Sequence, residues 1–270
     1  MQKILIIGSH GFIGNNLSNF FFEKGYDVYK SDIIDCSNQR KYFKINSLND
    51  YKLIFTKYNF QLCVNCSGAA SVPNSITSPL NDFRLNTSNV FEILNSIRLY
   101  NKDCKFINLS SAAVYGNPLT LPVKETDHIN PLSPYGYHKL MSENICKEFS
   151  ELFSLKTCSL RIFSAYGPGL KKQIFYDLFQ KAKENSNIIL YGTGNESRDF
   201  IFIEDLTKAI WLTFLKTAFK GESINIANGM QVFIKDAVNI FFENYKKEIS
   251  IKFGGEQRQG DPNNWLANID

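Results

Sequence analysis

The sequence lacks the long apolar and highly charged segments that mark membrane proteins and nucleic-acid-binding proteins. No segment approaches the roughly 18 uncharged apolar residues of a membrane-spanning helix. The 30 basic and 26 acidic residues give a net charge of only +4, and like charges are not gathered into blocks. These absences predict a protein that binds neither a membrane nor nucleic acid.

Cysteine is also sparse, with six residues in a chain of 270. Cys63 and Cys66 have the spacing of a redox or zinc motif, but they lie in an apolar run. No second Cys or His pair follows at zinc-site spacing, so the sequence predicts buried thiols and no metal. The N-terminal apolar run Ile4–Ile7 is too short for the core of a signal peptide. We therefore expect a protein of the reducing cytoplasm.

Short apolar runs instead alternate with helix-length stretches through the first 165 residues. The predicted strands are Lys3–Ile7, Asp27–Ser31, Tyr42–Ile45, Gln61–Cys66, Cys104–Leu109 and Lys156–Arg161. The predicted helices are Ile13–Lys24, Leu48–Tyr58, Asn81–Tyr100 and Pro134–Phe153. Strands separated by helices pair in parallel through right-handed crossovers. The fold class is therefore predicted to be α/β, with a doubly wound parallel sheet.

The alternation weakens after Tyr166. The later predicted elements are one helix, Gln173–Glu184, and short strands at Ile188–Tyr191, Phe200–Ile203, Ile224–Ile226 and Ile249–Phe253. We expect residues 1–165 to form the first domain and residues 166–270 a smaller C-terminal α/β lobe. A segment near residues 198–217 is expected to return to the first domain.

A glycine pattern lies directly between the first predicted strand and the first predicted helix. Gly8 permits a tight turn, Gly11 lets the backbone approach a pyrophosphate, and Gly14 allows the helix to pack closely on the strand. The N–H groups at the start of the helix then face the anion. This context is typical of a dinucleotide-binding Rossmann domain, although a glycine-rich turn without a ligand would look similar.

Asp32 ends the second predicted strand, near the spacing expected of a ribose-binding acid. A carboxylate there accepts hydrogen bonds from the ribose hydroxyls and repels a 2′-phosphate, which favours NAD over NADP. The alternative is that Asp32 is only a turn residue, because Asp35 is an equally ordinary turn aspartate nearby.

Tyr135 and Lys139 are four residues apart at the start of a predicted helix, so their side chains lie on one face. An ammonium beside a phenol lowers the pKa of the phenol, and such a tyrosine can take a proton from an alcohol. Ser111 follows the strand Cys104–Leu109, at the same sheet edge as the glycine turn, where it could hold a substrate oxygen. Taken alone, a Tyr–Lys pair at this spacing is more often a surface pair.

With these motifs in place, the sequence resembles the extended short-chain dehydrogenases/reductases, in particular the NAD-dependent sugar-nucleotide epimerase/dehydratase branch. The resemblance rests on runs in family order along nearly the whole chain. These runs are Gly8–Gly14, Ser67–Ser75, Asn86, Ser110–Gly116, Tyr135–Lys139, Leu160–Pro168, Arg198–Asp205 and Arg258–Pro262.

The resemblance implies a Rossmann domain that binds NAD and a C-terminal lobe that binds a nucleotide-diphospho-sugar. By motif position, Ser111, Tyr135 and Lys139 would be catalytic. The cofactor would contact Gly8, Gly11, Phe12, Ile13, Gly14, Asp32, Asn46, Ser67, Gly68, Ala69, Asn86, Tyr135 and Lys139. The substrate would contact Ser71, Ser111, Ser164, Arg198 and Arg258, with the two arginines on its diphosphate. Ser164 stands where many members of the family carry Asn.

The resemblance also narrows the reaction. The 4,6-dehydratases follow the active-site Thr with Asp-Glu, whereas Ala112 and Ala113 follow Ser111 here, so a dehydratase is not expected. The expected function is epimerisation at C4 of a UDP- or dTDP-hexose through a transient 4-keto sugar. The alternatives are an NAD(P)H-dependent nucleotide-4-keto-sugar reductase and a non-catalytic dinucleotide sensor. The resemblance also implies a homodimer, formed through the helices predicted over Asn81–Tyr100 and Pro134–Phe153.

Overall fold

The computed structural model of the chain describes residues 1–36, 40–47, 50–245, 248–256 and 258–270. The predicted helix Leu48–Tyr58 therefore begins outside the described residues. Its described part is a helix over Asp50–Lys57.

The strands alternate with helices over the first 165 residues and become shorter afterwards. The strands are β1 Lys3–Ile7, β2 Asp27–Asp32, β3 Tyr42–Lys44, β4 Leu62–Asn65, β5 Lys105–Ser111, β6 Thr157–Ile162, β7 Ser164–Tyr166, β8 Asn187–Leu190, β9 Ser197–Phe202, β10 Lys220–Ile226, β11 Gln231–Phe233 and β12 Ser250–Phe253. The helices are α1 Phe12–Glu23, α2 Asp50–Lys57, α3 Val72–Thr77, α4 Pro79–Phe83, α5 Asn89–Tyr100, α6 Pro134–Phe153, α7 Gln173–Glu184, α8 Ile203–Lys216 and α9 Ile234–Glu243. A π-helical turn, Arg84–Ser88, joins α4 to α5, and a 3-10 turn, Ala112–Val114, follows β5.

The large sheet has seven strands in the order β10-β6-β5-β4-β1-β2-β3. Neighbouring strands in this sheet are parallel. The strand order reverses beside β1, and ligands of open α/β sheets bind beyond the carboxyl ends of the strands at such a point. This confirms the predicted Rossmann-type doubly wound sheet.

Alternating residues of the buried strands cover both faces of this sheet. On β1, Ile4 and Ile6 pack in one core with side chains of α1 and α8. Leu5 and Ile7 point the other way and pack with side chains of α2, α5 and α6. A strand buried on both sides is apolar at every position, which explains the continuous run Ile4–Ile7.

The C-terminal part of the chain supplies strands to the large sheet and to two smaller sheets. Helix α8 packs beside α1, and β10 then joins the edge of the large sheet next to β6. The remaining strands form a three-stranded sheet, β11-β9-β7, and a two-stranded sheet, β12-β8. Helices α7 and α9 pack on the latter through Leu178, Ile188 and Val238. The division of the chain at residue 165, and the separate substrate lobe beyond it, stay predictions.

Candidate active site

The glycine turn links β1 to α1 under tight steric limits. Gly8 has φ +76°, and its N–H donates to the Ser31 carbonyl at 2.8 Å. A Cβ on Gly14 would lie 2.1 Å from the Gly8 carbonyl oxygen, and a Cβ on Gly8 would lie 2.6 Å from the Ser67 nitrogen. Helix α1 starts at Phe12 with Gly11 as its N-cap. The first N–H groups of a helix have no intrahelical acceptor, so those of Phe12–Gly14 are available to an anion.

Asp32 lies at the end of β2 and faces the glycine turn. Its Oδ2 accepts the His10 N–H at 2.8 Å, while Oδ1 accepts the Ile33 N–H at 2.7 Å.

Asn46 follows β3 and lies near Asp32, because the Ile45 N–H donates to the Asp32 carbonyl at 2.8 Å. The Asn46 residue is exposed. The Asp35 carboxylate pairs with Lys44 Nζ at 2.9 Å.

The loop after β4, Ser67–Ala69, lies against the glycine turn, and we call the region lined by these two segments and Asp32 the trough. Ser67 Oγ donates to Asn65 Oδ1 at 2.5 Å and accepts from Asn89 Nδ2 at 2.9 Å. Gly68 has φ +113°, and a Cβ there would lie 2.5 Å from Asn86 Oδ1. Ala69 follows as a half-buried residue of the same loop.

Asn86 is the clearest sign that this trough holds a polar ligand. The residue is 1% exposed, and within the described part of the chain neither Oδ1 nor Nδ2 of its amide has a hydrogen-bond partner. Buried amides are normally paired, so an orphaned one beside a glycine-lined groove fits an amide- and hydroxyl-rich ligand. The glycine turn, the Asp32 carboxylate and the Asn86 amide together fit a dinucleotide.

Helix α6 brings Tyr135 and Lys139 to the end of β5. The helix begins where Ser133 Oγ accepts the Gly136 N–H at 3.2 Å and Pro134 occupies the first turn. A Cβ on Gly136 would lie 2.7 Å from the Ala113 carbonyl oxygen, so glycine allows α6 to approach the 3-10 turn. Ser111 caps that turn and is hydrogen bonded to the Tyr135 side chain.

Lys139 is buried beneath this pair. Its Nζ donates to the Leu109 carbonyl at 2.8 Å and lies 5.8 Å from the centroid of the Tyr135 ring. Ser111, Tyr135 and Lys139 thus lie together at the carboxyl edge of the sheet, as their spacing predicts. Their catalytic roles stay predictions.

Burial shifts the pKa values of both Tyr135 and Lys139. Burial raises the pKa of Tyr135 to about 12, although its hydrogen bond with Ser111 acts in the opposite direction. Burial also lowers the pKa of Lys139 to about 8. Desolvation therefore dominates the pKa of the Tyr135 phenol, and the lowering expected from Lys139 stays a prediction.

The two predicted diphosphate-binding arginines both act on the carboxylate of Asp261. Arg258 Nε is 4.0 Å from Asp261 Oδ2, and Arg198 also lowers the pKa of Asp261. The Arg198 guanidinium carbon is 5.4 Å from the Trp265 ring centroid, and that of Arg258 is 4.8 Å from the Tyr191 ring centroid. Each guanidinium group is therefore held against an aromatic ring.

The loop that carries Arg258 also reaches the first domain. A Cβ on Gly260 would lie 2.8 Å from Val72 Cγ1 and 3.2 Å from Ser133 Cβ. Ser71, the neighbour of Val72 in the sequence, caps α3 by accepting the Asn74 N–H at 3.3 Å. Ser164 starts β7, where it pairs with Phe200 in the smaller sheet, two residues beyond the end of β6.

Sequence reasoning missed two charged groups that act on the site. Lys172 precedes α7, and its positive charge lowers the pKa of Lys139. Asp82 of α4 raises the pKa of both Tyr135 and Lys139, and it contacts His138. Their sequence positions carry no spacing signal, because each reaches the site from a different element.

Within the described ranges, no group of three or more His, Cys, Asp or Glu side chains is placed to hold a metal ion. Among the same residues, no helix combines the length and the apolar character needed to cross a membrane.

The fold and this edge of the sheet are those of a dinucleotide-dependent α/β enzyme. The sequence matches the NAD-dependent epimerase/dehydratase family over residues 4–227, and the chain belongs to that family. It is 31% identical over 260 residues to a putative UDP-glucose 4-epimerase of Methanocaldococcus jannaschii, covering 92% of this chain and 83% of the relative. The expected family is thereby confirmed, and with it NAD as the cofactor.

Solved structures agree with this assignment. The UDP-N-acetylglucosamine 4-epimerase of Methanobrevibacter ruminantium M1, in complex with UDP-N-acetylmuramic acid, superimposes with a TM-score of 0.87 at 25% identity, covering 100% of this chain and 90% of that chain. The UDP-glucuronic acid 4-epimerase of Bacillus cereus, in complex with UDP-glucuronic acid and NAD, gives 0.88 at 23% identity, covering 99% and 90%. The second likeness shows the shared fold.

Proposed function

We propose that the protein is an NAD-dependent nucleotide-sugar epimerase that acts at C4 of a UDP- or dTDP-hexose. The observation that carries the proposal is the grouping of Ser111, Tyr135 and Lys139 at the sheet edge that also bears the glycine turn. The Methanocaldococcus and Methanobrevibacter relatives described above are named as 4-epimerases of UDP-sugars, which supports both the position and the nucleotide.

The cofactor contacts proposed from this geometry follow the trough. Gly8, Gly11 and the first turn of α1 (Phe12, Ile13 and Gly14) would face the pyrophosphate, and Asp32 a ribose, which favours NAD over NADP. Asn46, Ser67, Gly68, Ala69 and Asn86 would line the remaining length. When bound, NAD would supply a hydride acceptor and a positively charged nicotinamide.

Tyr135 is the proposed acid and base. With its pKa raised to about 12, the phenol is protonated near neutral pH, so it needs added positive charge before it can accept a proton. Ser111 is placed to share a hydrogen bond with Tyr135 and the sugar hydroxyl. Lys139 supplies an ammonium on the same helical face. Tyr135 would take the C4 hydroxyl proton and later return a proton to the same oxygen of the 4-keto sugar.

The substrate diphosphate would lie against Arg198 and Arg258. A guanidinium can bond phosphate oxygens through two N–H groups and keeps its charge. In the structure both positive charges lower the pKa of Asp261, whereas burial raises it. A diphosphate would therefore replace a single carboxylate as their counter-charge. Ser71 and Ser164 are proposed to contact the substrate from the two sides of the cleft.

The absence of acids after Ser111 supports epimerisation over dehydration. Ala112 and Ala113 form the 3-10 turn directly beside the proposed site, and Ala112 is fully buried. Neither methyl group can move the protons that elimination of water requires.

We also propose a homodimer in the cytoplasm. The proposed contact surface includes exposed apolar residues of α5 and α6, among them Leu99, Tyr137 and Met141. All six cysteines are free, which suits a reducing compartment.

The test starts from protein purified without added cofactor. Bound dinucleotide is extracted and identified, and the intact protein is incubated with UDP- and dTDP-hexoses while the sugars are analysed. We expect retained NAD and interconversion of C4 epimers. A protein that is inert until reduced nicotinamide and a 4-keto sugar are supplied would be a reductase, and the proposal would fail.

The matched control is Tyr135→Phe. This variant keeps the ring in the trough and should still carry NAD, while the rate falls by about a hundredfold to ten-thousandfold. An unchanged rate would remove Tyr135 from the mechanism and leave a role in binding only.

A further inference from the structure

Trp265, near the end of the chain, is a large buried side chain that has no task in the mechanism above. The residue is only 9% exposed. Its Nε1–H donates to the Gly116 carbonyl at 3.0 Å, and the Phe163 ring lies edge-on to the indole with centroids 6.0 Å apart. Gly116 lies two residues beyond the 3-10 turn that follows Ser111. The indole is therefore anchored to the same segment that carries Ser111.

The backbone around Trp265 is paired with the start of β9, the strand that carries Arg198. The Trp265 N–H donates to the Ser197 carbonyl at 3.1 Å, and the Ser197 N–H donates to the Asn263 carbonyl at 3.0 Å. Ser197 and Asn264 thereby form a parallel bridge. This pairing brings the indole to Arg198 in a fixed register.

Arg198 is held both by the indole and by the two paired backbones. Its guanidinium carbon lies 5.4 Å from the centroid of the Trp265 ring, within the range of a cation–π contact. Its Nη1 donates to the Ser197 carbonyl at 2.8 Å and to the Asn263 carbonyl at 3.3 Å. Among the described residues, Nε and Nη2 of Arg198 donate to no acceptor. One edge of the guanidinium is thus left unused.

The unused edge of Arg198 has the geometry that a phosphate requires. An arginine bonds two phosphate oxygens through two N–H groups of its planar fork. Because Nη1 is bonded to backbone, the edge of Nε and Nη2 is the one that remains for such a pair. A side chain that is fixed in advance also loses less rotamer freedom when it binds a ligand. Packing on an aromatic face fixes the guanidinium without using a hydrogen-bond donor.

We propose that Trp265 is a positioning residue for Arg198, which holds the guanidinium with its Nε–Nη2 edge ready for the diphosphate. The inference rests on the proposed function, because there Arg198 binds the substrate diphosphate. Through Gly116, the indole also fixes this arrangement relative to the segment of Ser111. Loss of the ring should therefore weaken diphosphate binding more than it slows the chemical step.

The test measures binding of UDP and of dTDP to the NAD-loaded protein by calorimetric titration. Trp265→Leu removes the aromatic face and should weaken binding of the nucleotide that the wild type prefers by about fivefold to thirtyfold. Trp265→Phe restores an aromatic face and should recover most of this loss. In an Arg198→Met background, Trp265→Leu should cause no further loss, because the ring acts through the arginine.

A second measurement leaves the buried ring in place. The chain has two tryptophans, so Trp211→Phe makes Trp265 the only one. A phosphate bound to Arg198 changes the electric field at the indole. UDP or dTDP should therefore change the emission of Trp265 over the concentration range of the calorimetric titration. The same nucleotide at saturation should cause no change in Arg198→Met/Trp211→Phe.

The possible results separate this inference from the proposed function. Equal affinity of the wild type and Trp265→Leu, additive losses in the double variant, or an unchanged emission on nucleotide binding would overturn the positioning role. A wild type that binds neither nucleotide would contradict the proposed substrate, and the task of Trp265 with it. Nucleotide binding without sugar interconversion would contradict the epimerase alone. If sugars are interconverted, Trp265→Leu should raise KM by a larger factor than it lowers kcat.

Discussion

At the scale of one residue, the buried charge of Lys139 makes the folded protein less stable near neutral pH. The side chain is 6% exposed, and burial lowers its pKa to about 8. The folded chain therefore holds the Lys139 proton less tightly than the unfolded chain does. Between about pH 8 and the ordinary lysine value, the unfolded chain binds the extra proton, so this group makes the fold more stable as the pH rises.

Replacement of Lys139 by Met should make the protein more stable and inactive. The thioether side chain fills similar space without a buried charge, so the free energy of unfolding at pH 7 should rise by about 1 kcal/mol, while epimerase activity is lost. Denaturant unfolding of wild type and variant at pH 7 and at pH 10 measures the difference. Because the wild-type lysine is largely neutral at pH 10, the advantage of the variant should shrink there. A variant less stable than wild type at both pH values would contradict this account.

At the scale of an element, the backbone geometry of the glycine turn shapes the proposed cofactor site. The short distance from a Gly14 Cβ to the Gly8 carbonyl oxygen, 2.1 Å, is a contact with backbone rather than with a movable side chain. A larger residue must push α1 away from β1. This displaces the N–H groups that are proposed to face the pyrophosphate.

Gly14→Ala should therefore weaken NAD binding by about tenfold or more, or about 1.4 kcal/mol, and overpacking should cost about 1–3 kcal/mol of stability. Calorimetric titration with NAD and a thermal melt measure the two effects. Gly254→Ala is the matched control, since its Cβ would meet Ile189 Cγ2 at an acceptable 3.4 Å and Gly254 has no positive φ. Equal NAD affinity in both variants would show that close packing of α1 on β1 is not needed.

The elements that could be predicted from sequence are those with strong local signals. Lys3–Ile7, Pro134–Phe153 and Gln173–Glu184 were predicted with the bounds that the structure has. Helix α8, Ile203–Lys216, was not predicted, because the apolar residues that begin it continue the pattern of β9. The single helix predicted over Asn81–Tyr100 is interrupted by the π-helical turn. No residue pattern in the sequence indicates such a turn.

The candidate active site likewise has features that the sequence predicts and features that it does not. Gly14 and the Tyr135–Lys139 pair are visible from spacing, since each motif lies within one short segment. The contact between Asp82 and His138 joins residues 56 positions apart, and the raised pKa of Tyr135 depends on burial by distant segments. Both arise only when the helices pack.

At the scale of the whole molecule, apolar side chains remain exposed on the helices that flank the site. Leu99 on α5 is 53% exposed and Met141 on α6 is 42% exposed. A homodimer through these helices would cover them and would place two copies of α6 side by side.

A charged substitution on this face should prevent dimer formation. Leu99→Glu/Met141→Glu should sediment as a monomer, because burying two carboxylates in an apolar interface is costly. The matched control is Leu215→Glu, which changes a residue of α8 that is 49% exposed. Sedimentation velocity measures all three proteins. A wild type that sediments as a monomer, or a dimer in the double variant, would contradict the proposed interface.

The central claim is that Tyr135 moves only the proton on oxygen, while hydrogen on carbon is transferred within the site. The most direct test is to incubate the NAD-loaded protein with a UDP-hexose in D2O and to examine the C4 epimer by NMR. The account predicts an epimer without deuterium on C4, together with loss of conversion in Tyr135→Phe. Deuterium on C4 of the product would mean that the proton of that carbon exchanges with solvent, and it would contradict the account.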